Sequence, residues 1–216
     1  MALANYSPAI FNALPDLGDS GREFDARNGN SLVEKIGDLF VKHNMEYKFG
    51  LSLLHRHFDI GEEERMVEYR GTSSPWSACL SMTGPAIRAI NWAVADDGTF
   101  RPFEFEYSPD DRDSIEPSNP ENAKFADAFK ALLHDEHAAG LFGICAHPGL
   151  GFKGRVEITE GRTNINLAPE HASDLMNRRD AAWFFDPQLR GSCVCVYGGQ
   201  THGTASNPHK GHVGDR

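Results

Sequence analysis

A chain of 216 residues that is 40% apolar and 24% charged has the size and composition of a globular protein with one well-buried core. Its formal net charge of −10 argues against a nucleic-acid groove or an anionic membrane surface as partner, since both need a basic face. Four cysteines are too few for a disulfide scaffold, no apolar run approaches a membrane span, and the first residues lack the regions of a signal peptide, so a cytosolic protein with reduced thiols is expected.

Residues 1–30 are rich in Gly, Asn, Asp and Pro without a sustained period and read as an irregular arm. The stretch "SLVEKIGDLFVKHN" predicts a helix, with Ser31 and Glu34 as a capping box and Leu32, Ile36, Leu39 and Phe40 on one stripe. A strand is expected over residues 47–60, then a turn at "GEEE" and a return strand "RMVEY". In "AIRAINWAVADDGTFRPFEFEY" the Asp97-Gly98 pair separates two alternating runs, which is the signature of a hairpin. A second helix follows a polar loop, with Asn119 and Pro120 at its start, Phe125, Phe129, Leu132 and Leu133 as its buried stripe, and Gly140 to end it. "LFGICA", "RVEIT" and "NINLAP" read as strands, the last two joined through Glu160-Gly161, and "AAWFF" and "SCVCVYG" add further β-prone or buried segments. Residues 199–216 carry almost no core-forming side chains and read as a polar tail. The expectation is one domain over residues 1–216, of α+β class: a mostly antiparallel sheet, curled or a half-barrel, with two packed helices.

The chemistry centres on "LLHRHFDIGEEER". Strand alternation would put His55 and His57 side by side, following Phe49, Leu51 and Leu53 on what would be an interior face. Two neighbouring imidazoles taken out of water cannot comfortably both be charged, and a metal ion resolves this by accepting a lone pair from each neutral ring. Folding the "GEEE" turn would set His57 opposite Glu68 and His55 opposite Arg70. Here the stretch resembles the first metal motif of the cupins, in which Gly, His-x-His, Glu and Gly recur along two strands; the matching residues are Gly50, His55, His57, Glu62 and Gly71. The first spacing is one residue short, Glu64 fits the final glycine better than Glu62, and the second cupin motif with its later histidine has no counterpart. The resemblance implies metal chemistry at His55, His57 and Glu62 more than it implies a cupin fold. "HRHF", "WFF" and the late Cys-x-Cys also resemble a group of fungal proteins to which no activity attaches.

Further candidate ligands lie near the end of the chain. Cys193 and Cys195 would share a strand face, and thiolates with imidazoles are the donor set that zinc prefers. With His202, His209 and His212 they could close a site without help from the rest of the chain, His202 being the best placed of the three; with His55 and His57 they could close a structural zinc site of two nitrogens and two sulfurs. Cys145 in "GICAHPG" reads as a core residue rather than a nucleophile, because a partnered base seldom comes from two residues away. Glu157, Glu160, Arg162 and Asn164 surround a turn and read as an ordinary surface hairpin, or as a carboxylate-binding pair. No dinucleotide fingerprint, phosphate loop or Gly-x-Ser-x-Gly elbow is present.

Two functions are therefore expected to compete. The first is a small metalloenzyme in which His55, His57 and a carboxylate hold zinc or iron for Lewis-acid or oxygen-activating chemistry on a small organic substrate. Glu62 is favoured for that carboxylate by motif and Glu68 by cross-strand geometry, and either could serve in catalysis; in a metal-free variant Glu68 would orient a histidine base. The second is a non-catalytic protein with a structural zinc site of His and Cys-x-Cys residues. The sequence leaves the oligomeric state open.

Overall fold

The computed structural model describes residues 6–78, 87–109, 115–172, 175–189 and 193–196, with the backbone alone of 202–204 and 207–209. Its first part departs from the irregular arm expected over residues 1–30. Ser7 accepts a hydrogen bond from the Ala9 N–H and Pro8 takes the first position of helix α1, Pro8–Asn12. Asp16 accepts from the Asp19 N–H, 2.8 Å, to start α2, Leu17–Ala26. The run from α2 into α3, Gly29–Lys42, turns at Asn28 in the left-handed region, φ 54°. A Cβ on Gly29 would lie 2.4 Å from the Phe24 ring, so only glycine permits this corner. The helix thus begins ahead of the Ser31 capping box, and its Leu32, Ile36 and Phe40 are buried as the stripe requires.

Ten strands follow: β1 Phe49–Leu53, β2 Glu64–Tyr69, β3 Thr72–Ser77, β4 Ile87–Val94, β5 Phe100–Tyr107, β6 Phe142–Ala146, β7 Arg155–Glu160, β8 Thr163–Leu167, β9 Arg178–Trp183 and β10 Cys193–Val196. Helix α4, Ala123–Asp135, sits between β5 and β6, preceded by a 3-10 turn, Pro120–Asn122, that begins at Pro120. His137 at φ 53°, not Gly140, takes the left-handed position after α4.

The expected α+β fold, an antiparallel curled sheet or half-barrel carrying two helices, is overturned. The strands close into a mixed barrel in the order β1, β6, β4, β5, β2, β3, β8, β7, β10, β9, and β9 returns to β1 through Leu51 opposite Trp183. The β2–β5 and β7–β10 pairs are parallel. Alternation within a strand fixes which residues share a face, but the choice of neighbours depends on packing distant in sequence. The "GEEE" turn joins β1 to β2 without pairing them: β1 lies between β6 and β9, and β2 between β3 and β5. The Ser- and Pro-containing β3 has no strand pattern of its own, yet it joins β2 to β8. The Asp97-Gly98 and Glu160-Gly161 hairpins form as the sequence indicates.

The lumen mixes polar side chains such as Glu68, Glu104, Arg155 and Glu157 with apolar ones such as Ile90, Phe103 and Phe152, and the outer face is apolar. Phe49, Leu51 and Leu53 belong to one cluster with α3 and α4 residues; Phe49 stacks against Phe125 and Phe40 meets Phe125 edge-on. Phe24 of α2 stacks on Trp183, and Phe11 of α1 packs with Leu54, Met66 and Phe103. The helices therefore cover the apolar outer face, and the opposite faces of nine strands line a lumen of about 400 Å³. No helix among the described residues is long and apolar enough to cross a membrane.

Candidate metal centre

The His-x-His segment is not a strand. β1 stops at Leu53, and residues 54–63 run irregularly along the end of the barrel. The N-terminal region holds them there. The Arg56 N–H donates to Pro15 O at 2.8 Å and its Nε to Asn12 O at 3.1 Å, while Ser20 Oγ donates to Leu54 O at 2.6 Å. The Asn12 side chain brackets Ile60, donating to its carbonyl at 2.8 Å and accepting from its N–H at 2.9 Å. With Arg56 tied to Asn12 and Pro15, His55 and His57 border the lumen, their rings edge to face with centroids 5.0 Å apart.

His55, His57, Glu157 and Cys195 form a cluster that could hold a metal ion, with one ligand atom from each lying within 4.8 Å of all the others. Around zinc, ligand atoms sit about 2.0–2.3 Å from the ion, so the cluster needs only a modest contraction to become a tetrahedron. His55 Nδ1 donates to Leu53 O at 2.8 Å, which leaves its Nε2 lone pair for a ligand; ligating imidazoles are commonly oriented by such a bond. His57 Nε2 lies 3.0 Å from Glu157 Oε1, and Cys195 Sγ 3.5 Å from the same oxygen.

The electrostatics favour a cation at that point. Burial, with His57 adding to it, lowers the His55 pKa to about 4, so the ring is neutral and available at neutral pH. Burial works against the Glu157 charge, but the hydrogen bond from His57 and the nearby Arg155 outweigh it and hold its pKa at about 2. Burial, then Glu157, pushes the Cys195 thiol well above its ordinary value, a state that a bound metal reverses by taking the thiolate.

Deeper in the lumen Arg155 Nη1 donates to Glu68 at 3.0 Å. Burial opposes the Arg155 charge, while Cys193, Glu68, Glu157 and Glu104 more than restore it. Glu104 accepts from Asn91 Nδ2; burial, then Glu157, raises its pKa to about 7. An irregularity in β4 around Asn91 brings that residue opposite Glu104 on β5.

The structure thus brings together His55, His57 and Cys195 of the residues singled out by sequence. Glu62 is exposed in the turn before β2, outside the cluster. Glu68 reaches the lumen, but the expected His57 pairing is replaced by the bond to Arg155 because β1 and β2 are not neighbours. Cys193 is buried beside Arg155 and packs with Cys145 and Ala182 instead of joining the cluster, so the group carries one sulfur and one carboxylate where the structural-zinc alternative expected two sulfurs. The side chain of His202 and nearly all of the tail lie outside the described residues; the backbones of His202–Thr204 and Asn207–His209 form a two-stranded hairpin. Glu157, read from sequence as part of a surface hairpin, is the cluster member that the sequence reading missed. Its signal is the alternation of "RVEI", which puts Arg155 and Glu157 opposite Val156 and Ile158; the parallel register Cys195 to Glu157 then supplies the contact. Cys145 is buried with a raised pKa, and His147 bonds Asp186 at 3.2 Å. Comparison of the chain with protein-family models, with curated proteins and with solved structures finds no match.

Proposed function

We propose that this protein is a metal-dependent enzyme in which His55, His57, Glu157 and Cys195 hold a divalent transition metal, zinc or iron, at the wall of the lumen. The observation that carries the reading is the convergence of two nitrogens, one carboxylate oxygen and one sulfur, from three separate segments of the chain, at the wall of a cavity of about 400 Å³. When bound, the metal supplies Lewis-acid or oxygen-activating chemistry to a small organic molecule in that cavity. The chain's own part is to fix the donors: Leu53 O sets the His55 tautomer, and Asn12 and Pro15 fix the backbone that carries both histidines. Glu104 is able to hold or release a proton near neutral pH within the same lumen.

A second reading has its own support. Four protein donors suffice to close the tetrahedron of a structural zinc ion. The two readings differ in whether a coordination position remains for substrate. Elemental analysis of protein purified without chelator should find about one equivalent of transition metal, and less than about a tenth, with none taken up on reconstitution, would sink both. In the cobalt-substituted protein, azide should then perturb the visible spectrum if a position is open. An azide-insensitive spectrum with a thiolate band would favour the structural site.

A further inference from the structure

The lumen has two unlike sides. β5 and β2, neighbours in parallel register, bring Glu104, Glu106 and Glu68 to it, with Glu68 opposite Glu106. Across the closed strand order stand β10, β9, β1 and β6, and their side is apolar: Cys145, Ala182 and Cys193 pack with Phe152 and Phe184. The Phe184 ring lies against Gly50, where a Cβ would stand 2.5 Å from it, and meets Phe152 edge-on with centroids 5.4 Å apart. His147, beside Phe184, has both ring nitrogens occupied: Nδ1 accepts from the Gly149 N–H at 3.1 Å and Nε2 bonds Asp186 at 3.2 Å. This side therefore offers a ligand apolar surface and no uncommitted charge.

On the other side one charge lacks a counter-charge. Among the described residues of the wall, Arg155 bonds Glu68 at 3.0 Å, Glu106 pairs with Arg88, and Arg56 pairs with Asp59 at 3.2 Å. Glu157 and a Cys195 thiolate would offset a divalent ion in the cluster. Glu104 remains. Its Oε2 accepts from Asn91, while its Oε1 makes no hydrogen bond among the described residues and is not sealed from the lumen. Arg155 is near enough to favour the Glu104 charge, but burial, then Glu157, outweighs it and brings the pKa to about 7. A buried carboxylate without a counter-ion is costly, and a cation at Oε1 would restore its charge.

We infer that the lumen binds a small organic amine, its primary ammonium on Glu104 and its apolar part against Phe184 and Phe152; as the substrate class of the metal site, the inference rests on the metal reading above. A primary ammonium donates to Oε1 in a charge-assisted hydrogen bond, and the two rings accept an apolar group about the size of one aromatic ring. The volume of about 400 Å³ lies near the small end of the roughly 300–1,000 Å³ typical of ligand sites. A carboxylate in place of the ammonium would stand beside Glu104 as a like charge.

The test is calorimetric titration of the zinc-reconstituted protein, at about pH 8 and so above the Glu104 pKa, with benzylamine, 2-phenylethylamine and n-hexylamine. Each is set against the alcohol and the carboxylate of the same skeleton, benzyl alcohol and benzoate in the first case. At least one amine should bind about tenfold or more tightly than its alcohol, its carboxylate and methylamine, which lacks the apolar part. Glu104→Gln retains an acceptor for Asn91 and removes the charge. It should weaken that amine about tenfold or more, with zinc stoichiometry and affinity for the alcohol unchanged. Binding of no amine, equal binding of methylamine, the alcohol or the carboxylate, or unaltered amine affinity in folded Glu104→Gln would overturn the inference. If zinc is taken up in that case, the metal reading stands without it. The same amine selectivity in protein that takes up no metal would support the ligand class and sink the metal reading alone.

Discussion

The four clustered side chains differ in what each loses when changed. Glu157 touches both His57 and Cys195, so it holds the donor set together even before a metal arrives. Glu157→Gln and His57→Ala should each reduce zinc affinity by more than the about 10–100-fold that loss of an outer hydrogen-bond partner costs, read by chelator competition. Cys193→Ser should leave affinity nearly unchanged, because Cys193 lies outside the group; a loss equal to that of Cys195→Ser would contradict the assignment. Glu104 gives a pH prediction. Its folded pKa, raised to about 7 by burial and by Glu157, exceeds the unfolded value near 4.5. Between those values the folded state holds a proton that the unfolded chain releases, so this group's contribution to stability falls as pH rises through that window and is gone above about 7. Glu104→Gln should therefore gain on the metal-free parent between pH 5 and 8, by up to about 3 kcal/mol, in urea unfolding. A difference independent of pH would remove Glu104 as the cause.

At the scale of elements, the N-terminal helices act as a clamp. They cover apolar barrel surface through Phe11 and Phe24, and the Asn12 side chain secures Ile60, three residues past His57. Asn12→Ala leaves both Ile60 groups without that partner and should cost about 1–3 kcal/mol. It should also weaken metal binding, although residue 12 is not a ligand; unchanged affinity in the folded variant would show that the histidine segment positions itself. Gly50 on β1 tests the packing of the lumen wall. A Cβ there would stand 2.5 Å from the Phe184 ring and 2.9 Å from Trp183 O, so Gly50→Ala should destabilise by about 1–3 kcal/mol in denaturant unfolding.

For the molecule as a whole, the cluster ties residues 55 and 57 to 157 and 195, and so links the first third of the chain to the last strand of the barrel. A metal that binds only this assembled arrangement stabilises the entire barrel by linkage, about 2.7 kcal/mol at a free concentration 100 times its Kd. Tm should rise on zinc addition and fall with chelator in the parent, and the shift should vanish in His57→Ala. A zinc shift that persists in His57→Ala would place the binding elsewhere. Closure also matters for solubility, since a barrel leaves no long unpaired strand edge for other chains to join.

Local patterns in the amino-acid sequence determined the helix stripes of Leu32, Ile36 and Phe40 and of Phe125 and Phe129, the Asp97-Gly98 hairpin, and the candidacy of His55, His57 and Cys195. Each depends on residues within a few positions of one another, where side-chain period and turn chemistry act directly. Tertiary structure decided which side of the strands is the inside. Alternation in β1 separates Phe49 and Leu51 from Gly50 and Ser52, but the helices that bury the apolar face are what turn the polar face inward. It also decided which side chains meet in the cluster. Glu157 replaces Glu62 because β7 and β10 pair in parallel with Glu157 beside Cys195, a register set by closure of ten strands around a common lumen. Periodicity within either strand carries no trace of its neighbour, so that choice exists only once the barrel has closed.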